Sequence, residues 1–149
     1  MNLQSVPKHL PTLFLVFTAL LLVACGGIAQ AGEASVEGQA DLVNQLEARG
    51  ATVELGEPIE QPFFSVQPEV LKVNGMDVQV YEYDTEEMRA GESGAISPDG
   101  SVGTTMITWV DDPHFWAAGR LIVLYVGSDQ ATVDLLTDIL GDPINQPVQ

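Results

Sequence analysis

The pair Asn74-Gly75 constrains the fold of this chain more than any other feature of its sequence. Asn-Gly is the preferred pair for a two-residue type I′ turn, because both turn positions take a positive φ. The turn predicts a hairpin in which Val73 faces Met76, Lys72 faces Asp77, Leu71 faces Val78 and Val70 faces Gln79. The face opposite the charged pair is then apolar and consists of Leu71, Val73, Met76, Val78 and Val80. A slip of one residue would bury the charged pair, so turn chemistry and burial favour the same register.

Helical and strand patterns flank this hairpin. Residues 39–49 and 130–140 carry apolar residues at helical spacing, and a short helix is predicted after Asp84. Strand character is found in residues 52–55, 104–110 and 119–126. The last of these is almost wholly apolar, which suits a central strand covered on both faces or a strand whose far face is partly shielded. We therefore expect a single two-layer α+β domain with a mainly antiparallel sheet of about four or five strands, about three helices and a weak internal β-β-α repeat.

The first 24 residues predict an export signal. Lys8 and His9 precede a run of 13 uncharged residues, TLFLVFTALLLVA, at positions 12–24. A membrane-spanning helix needs about 20 apolar residues, whereas a secretory signal has an apolar core of about 7–15 residues after a basic start. A buried helix of a globular domain would be amphipathic, and this run is apolar all round. Residues 1–24 are therefore interpreted as a signal peptide.

The end of this run, Leu22-Val23-Ala24-Cys25, resembles the lipobox of bacterial lipoproteins. The resemblance implies cleavage before Cys25 and a diacylglycerol group attached to its sulfur, and two or more acyl chains give stable membrane anchoring. The protein is then expected in the bacterial cell envelope, at the outer face of the plasma membrane or, if the organism has one, at the outer membrane. The segments GTTMITWV and GRLIVLYVG are similar to those of small uncharacterised bacterial lipoproteins, a likeness that carries no activity with it.

The rest of the chain is predicted to contain a tether, one domain and a tail. Residues 25–37 combine the lipidated cysteine with small polar residues, residues 38–144 form the α+β domain, and residues 145–149 form the tail. Five Lys+Arg against 21 Asp+Glu give a formal net charge of -16. Sequence-independent binding to nucleic acid needs Lys and Arg against the phosphates, so it is excluded as a function.

Ligand chemistry is concentrated in the segment Asp111-Asp112-Pro113-His114-Phe115-Trp116, predicted to lie in a loop of residues 111–119 between the last two strands. Two carboxylates and an imidazole can bind a divalent metal. Because no fourth ligand is apparent, we favour a structural role in which the acids begin a turn and His114 bonds a backbone group. Phe115 and Trp116 either cover the sheet as part of the core or form, with His114, an exposed binding surface.

The patterns of several enzyme classes do not occur in this sequence. There is no Gly-x-Ser-x-Gly elbow and no Gly-rich nucleotide loop, and His114 is the only histidine after the signal. The expected function is a membrane-anchored, non-enzymatic binding or accessory module, without a cofactor or metal, whose protein or small-molecule partner is unidentified. The alternative is a metal-dependent hydrolase that uses Asp111, Asp112 and His114.

Overall fold

The computed structural model of the protein describes residues 35–145. The predicted signal peptide, Cys25 and most of the predicted tether lie outside the described residues, as do residues 146–149 of the tail. The elements, in chain order, are α1 (Gln39–Ala48), β1 (Val53–Leu55), β2 (Glu69–Val73), β3 (Met76–Glu82), α2 (Glu86–Ser93), β4 (Pro113–Ala118), β5 (Leu121–Val126) and α3 (Gln130–Leu140). The predicted α+β class is confirmed, because the described residues form one five-stranded antiparallel sheet with three helices.

The hairpin of β2 and β3 has the predicted register. Lys72 pairs with Asp77, and its Nζ lies 2.7 Å from the Asp77 carboxylate. Asn74 and Gly75 have φ values of 51° and 87°, as a type I′ turn requires. The apolar face is buried except at the turn, where Met76 is 39% exposed. The agreement between turn chemistry and burial therefore specified this element correctly.

The strands follow the order β1-β2-β3-β5-β4. The β2–β3 and β4–β5 hairpins meet along β3 and β5, and each hairpin is followed by a helix, so the element order contains β-β-α twice. β5 is buried along its first five residues, because it lies between β3 and β4 and is covered on both faces. This confirms the prediction of a central strand for the apolar run that ends at Val126.

One face of the sheet is covered by α1 and α3. Leu42 and Leu46 of α1 and Leu136 of α3 are fully buried in a core cluster on this face, together with side chains of β2, β3, β4 and β5. Asp129 caps α3, since its carboxylate accepts a hydrogen bond of 2.9 Å from the backbone N–H of Thr132. The hydrophobic faces of the two helices therefore point at the sheet, as their apolar spacing predicted.

The other face is covered largely by irregular chain. Residues 63–66 and 96–109 contribute apolar side chains that pack on a second cluster around Tyr81, Phe115 and Leu124. Glu92 of α2 connects the irregular chain at Ser65 to Tyr83, which follows β3. Its carboxylate accepts hydrogen bonds from the Tyr83 hydroxyl (2.8 Å) and from the Ser65 backbone N–H (3.1 Å). Burial alone would raise the pKa of Glu92, but the bonds from Ser65 and Tyr83 outweigh it and hold the pKa below its usual value.

The prediction of a strand at residues 104–110 is wrong. Residues 104–110 do not form a strand, apart from an isolated bridge between Thr105 and Val102. The strand that forms a hairpin with β5 is β4, which lies inside the predicted loop 111–119. The physical reason is the connection: Gly119, with a φ of 49°, allows a two-residue turn at Gly119-Arg120, so β5 pairs with the segment immediately before that turn.

Packing extends slightly beyond the interval predicted for the domain. Val36 lies within the predicted tether, yet it is 4% exposed and packs in the helix-side core. The carbonyl of Glu37 accepts a hydrogen bond of 3.0 Å from the Arg120 N–H. Asn145 lies at the start of the predicted tail and is 1% exposed. Within residues 35–145, no helix is long and apolar enough to cross a membrane.

Candidate functional site

The predicted binding aromatics Phe115 and Trp116 belong to the core. They are successive residues of β4, so their side chains lie on opposite faces of the sheet, and both are 0% exposed. Trp116 packs in the helix-side cluster, and the Phe115 ring contacts Phe64 and Trp109 on the other face. The structure therefore has the core arrangement and not the exposed binding surface.

His114 makes structural contacts on the same strand. Its Nε2 donates a hydrogen bond of 3.1 Å to the carbonyl of Gly127, and its ring stacks on Trp116 and Tyr125 at centroid distances of 6.0 and 6.2 Å. A carboxylate oxygen of Asp111 accepts a bond from the backbone N–H of the next residue. Among residues 35–145, no three His, Cys, Asp or Glu side chains are grouped so that they could hold a metal ion. His114 thus bonds a backbone group, as the structural alternative predicted.

The structure contains a groove that the sequence interpretation missed. It is lined by residues 61–63, Gln79, residues 105–110 and Val126, and its volume is about 510 Å³. We call it the Trp109 groove. Its outer wall is the segment that the sequence predicted to be a strand, and its floor is the loop-covered face of the sheet. Pockets that bind small ligands typically measure about 300–1,000 Å³, so the groove falls in that range.

Alternating side chains position the wall of the groove. Ile107 and Trp109 are partly buried against the second core cluster, whereas Met106 is 92% exposed and Val110 is 97% exposed. The Trp109 ring meets the Phe63 ring edge-on at a centroid distance of 6.0 Å. Ile107 and Trp109 therefore hold the wall against the core, whereas Met106 and Val110 expose apolar surface to solvent.

Gly100 makes room for the Trp109 indole. A Cβ atom at Gly100 would lie 2.9 Å from Trp109 Nε1 and 2.7 Å from Cγ of Pro113, and the φ of Gly100 is +81°. The indole Nε1 is buried and has no hydrogen-bond partner among the described residues. Gly100 therefore helps to position the groove wall: it leaves space for the Trp109 indole, and it adopts a positive φ that other residues rarely take.

The lining of the Trp109 groove carries no charge in the described part of the chain, and its polar groups are the amides of Gln61 and Gln79 and the hydroxyls of Thr105 and Thr108. The Tyr81 hydroxyl donates a hydrogen bond of 2.8 Å to Gln79 Oε1. Burial raises the pKa of Tyr81 far above its usual value, so this hydroxyl keeps its proton. The bond leaves the amide nitrogen of Gln79 as the part of that side chain that can donate to a ligand.

Basic side chains of the described domain are engaged elsewhere. Each of those in residues 35–145 bonds a carboxylate, an amide oxygen or a carbonyl: Lys72 with Asp77, Arg89 with Glu86 and Gly119, Arg120 with Glu82 and Tyr83, and Arg49 with Gln45. None of these cations lines the Trp109 groove. The groove therefore has no built-in counter-charge for an anion.

No protein family, no curated protein and no solved structure matches this chain.

Proposed function

We propose that this protein is a lipid-anchored protein of the bacterial cell envelope that acts as a small, non-enzymatic binding module. The anchoring is supported by the sequence alone, through the apolar run of residues 12–24 and the lipobox that ends at Cys25. Val36 is already packed in the core, so residues 26–35 would connect the domain to the lipid. One acyl chain binds a membrane marginally and two bind it stably, which suits a permanent attachment.

The observation that supports a binding role is the Trp109 groove. Met106 and Val110 are almost fully exposed at its wall. The chain thus exposes two large apolar side chains at this place, although it is rich in acidic residues, with 21 Asp+Glu. Contiguous apolar surface with a concave shape marks ligand or partner sites in soluble domains. The groove is formed by loops on a rigid sheet, which is the usual arrangement of binding sites.

The hydrolase alternative has no comparable support among residues 35–145. The segment that would supply its metal ligands places His114 against a backbone carbonyl and against two aromatic rings. Asp111 bonds the backbone of the neighbouring residue. Metal analysis of the purified protein tests this point directly. We expect no stoichiometric zinc or manganese, and stoichiometric metal that disappears in His114→Ala would favour the hydrolase over the binding module.

Metabolic labelling with a palmitate analogue tests the anchoring. We expect label on the wild-type protein, no label on Cys25→Ser, and wild-type protein in the membrane fraction until detergent is added. Label that persists in Cys25→Ser would contradict the proposal, and so would wild-type protein recovered in the soluble fraction.

A further inference from the structure

We propose that the Trp109 groove binds an uncharged, apolar small molecule. This inference rests on the proposed binding function and adds the chemical class of the ligand. It follows from three properties of the site: its charge, its shape and its polar groups.

The charge around the groove disfavours an anionic ligand. The lining itself is uncharged, and exposed acids border it, with Asp111 and Asp112 directly after Val110 and Glu60 directly before Gln61. A buried or half-buried anion needs a nearby cation or several donors to offset the loss of its hydration. The domain's basic side chains are bonded outside the groove, so they cannot supply that cation. A neutral molecule needs no such partner.

The shape and polar groups of the groove suit a small molecule with an apolar body. The volume of about 510 Å³ is in the range of pockets that enclose much of a drug-sized ligand. Phe63 and Trp109 provide aromatic surface, and Met106 adds a flexible side chain that can adapt to different shapes. The amide nitrogen of Gln79 can donate to an acceptor on the ligand, because its oxygen is already bonded to Tyr81. The expected ligand is therefore apolar and carries at least one hydrogen-bond acceptor.

A titration with Nile red, a neutral fluorescent dye, tests the proposal. The fragment Ala31–Gln149 contains all the strands and helices of the described residues 35–145 and both of their core clusters, and cooperative thermal unfolding of each variant is verified first. We expect saturable binding of Nile red with increased emission. Met106→Glu should weaken this binding by about tenfold, because it replaces the contact of an apolar side chain with a charge. Met106 is 92% exposed, so its replacement should leave the fold intact.

Four controls make the outcome specific. Met88→Glu introduces the same charge at an exposed methionine of α2, outside the groove, and should bind Nile red as the wild type does. Leu55→Glu changes a second depression of about 410 Å³ beside β1 and should also leave binding unchanged. Anilinonaphthalene sulfonate, an anionic dye, should bind the wild type more weakly than Nile red. Vesicles of neutral phosphatidylcholine should not bind the fragment.

Several outcomes would overturn this inference. Two concern the variants: Met106→Glu binds Nile red as the wild type does, or Leu55→Glu loses the binding instead. Two concern the occupant: the wild type binds the anionic dye more tightly than Nile red, or it binds vesicles and Met106→Glu abolishes that binding. The palmitate label at Cys25 is independent of all of them. Label with no groove-dependent dye binding would refute only the ligand class, whereas dye binding without label would refute only the anchor.

Discussion

Asn145 is expected to stabilise the domain far more than its place near the end of the described chain suggests. Its side chain is 1% exposed, and its Oδ1 accepts a hydrogen bond of 2.7 Å from the Phe115 backbone N–H while its Nδ2 donates one of 2.8 Å to the Pro113 carbonyl. The neighbouring Ile144 N–H donates to the Phe115 carbonyl at 2.7 Å. These bonds lie on the outer edge of β4, where no further strand is present among the described residues. Residues 144–145 thus take the place of a neighbouring strand for part of that edge.

The cost of Asn145→Ala follows from these contacts. The substitution removes both side-chain bonds and leaves the Phe115 N–H and the Pro113 carbonyl without that partner. Each buried polar group left unsatisfied costs about 1–3 kcal/mol, and partial access of water to the edge favours the lower half of that range. We expect a loss of about 2–4 kcal/mol, which is large against the 5–15 kcal/mol of total stability usual for a domain. At about 4 °C per kcal/mol, Tm should fall by roughly 8–16 °C.

Urea unfolding of the fragment Ala31–Gln149, followed by circular dichroism, measures this loss. Asn44→Ala is the matched control, because it makes the same substitution on the exposed surface of α1 and should change stability by less than about 0.5 kcal/mol. An Asn145→Ala variant as stable as Asn44→Ala would show that the edge of β4 does not need these bonds, and the reasoning would be refuted.

Three further variants test the core, the turn and the acid response. Trp116→Ala should cost about 3–5 kcal/mol, and a Tm near that of the wild type would contradict the burial of this ring in the core. Gly75→Val should cost about 1–3 kcal/mol in a urea titration, because a β-branched residue is strained at the φ of 87° seen there. Hydrogen bonds from Ser65 and Tyr83 outweigh burial and lower the pKa of Glu92 in the folded state. The ionised Glu92 carboxylate therefore adds to the free energy of unfolding above the unfolded-state pKa, and this contribution is lost as pH falls through the folded-state pKa. Glu92→Gln should therefore lose less stability than the wild type between about pH 6 and about pH 3, and equal losses would contradict this assignment.

The elements that were predicted correctly are those in which local signals and burial agree. The Asn74-Gly75 turn and the apolar alternation around it specify one register, and the structure has that register. The last helix was predicted over residues 130–140 from its apolar spacing, and α3 spans Gln130–Leu140. Gly141 has a φ of 86°, which ends the helix. In each case the sequence carries enough local information to exclude the competing structure.

The strand β4 was missed because its local preferences are weak. It consists of Pro113, His114, Phe115, Trp116 and two alanines. Phenylalanine and tryptophan favour strands, but the proline and the two alanines, half of this segment, are depleted in them. Its extended conformation comes from pairing with β5 on one side and from the bonds to residues 144–145 on the other. Neither partner can be inferred from the segment itself, so the sequence interpretation assigned it to a loop.

The Trp109 groove could not be predicted either, because it depends on which segments pair with β5. Residues 104–110 are rich in residues that favour strands, and in the structure Ile107 and Trp109 face the core whereas Met106 and Val110 face outward. Strand propensity does not report whether another backbone lies alongside the segment. Because β4 already occupies the position next to β5, this segment crosses the sheet face instead. Its outward apolar side chains thus remain uncovered by the described chain, and this is why the candidate binding site lies at residues 105–110 and not at Phe115 and Trp116.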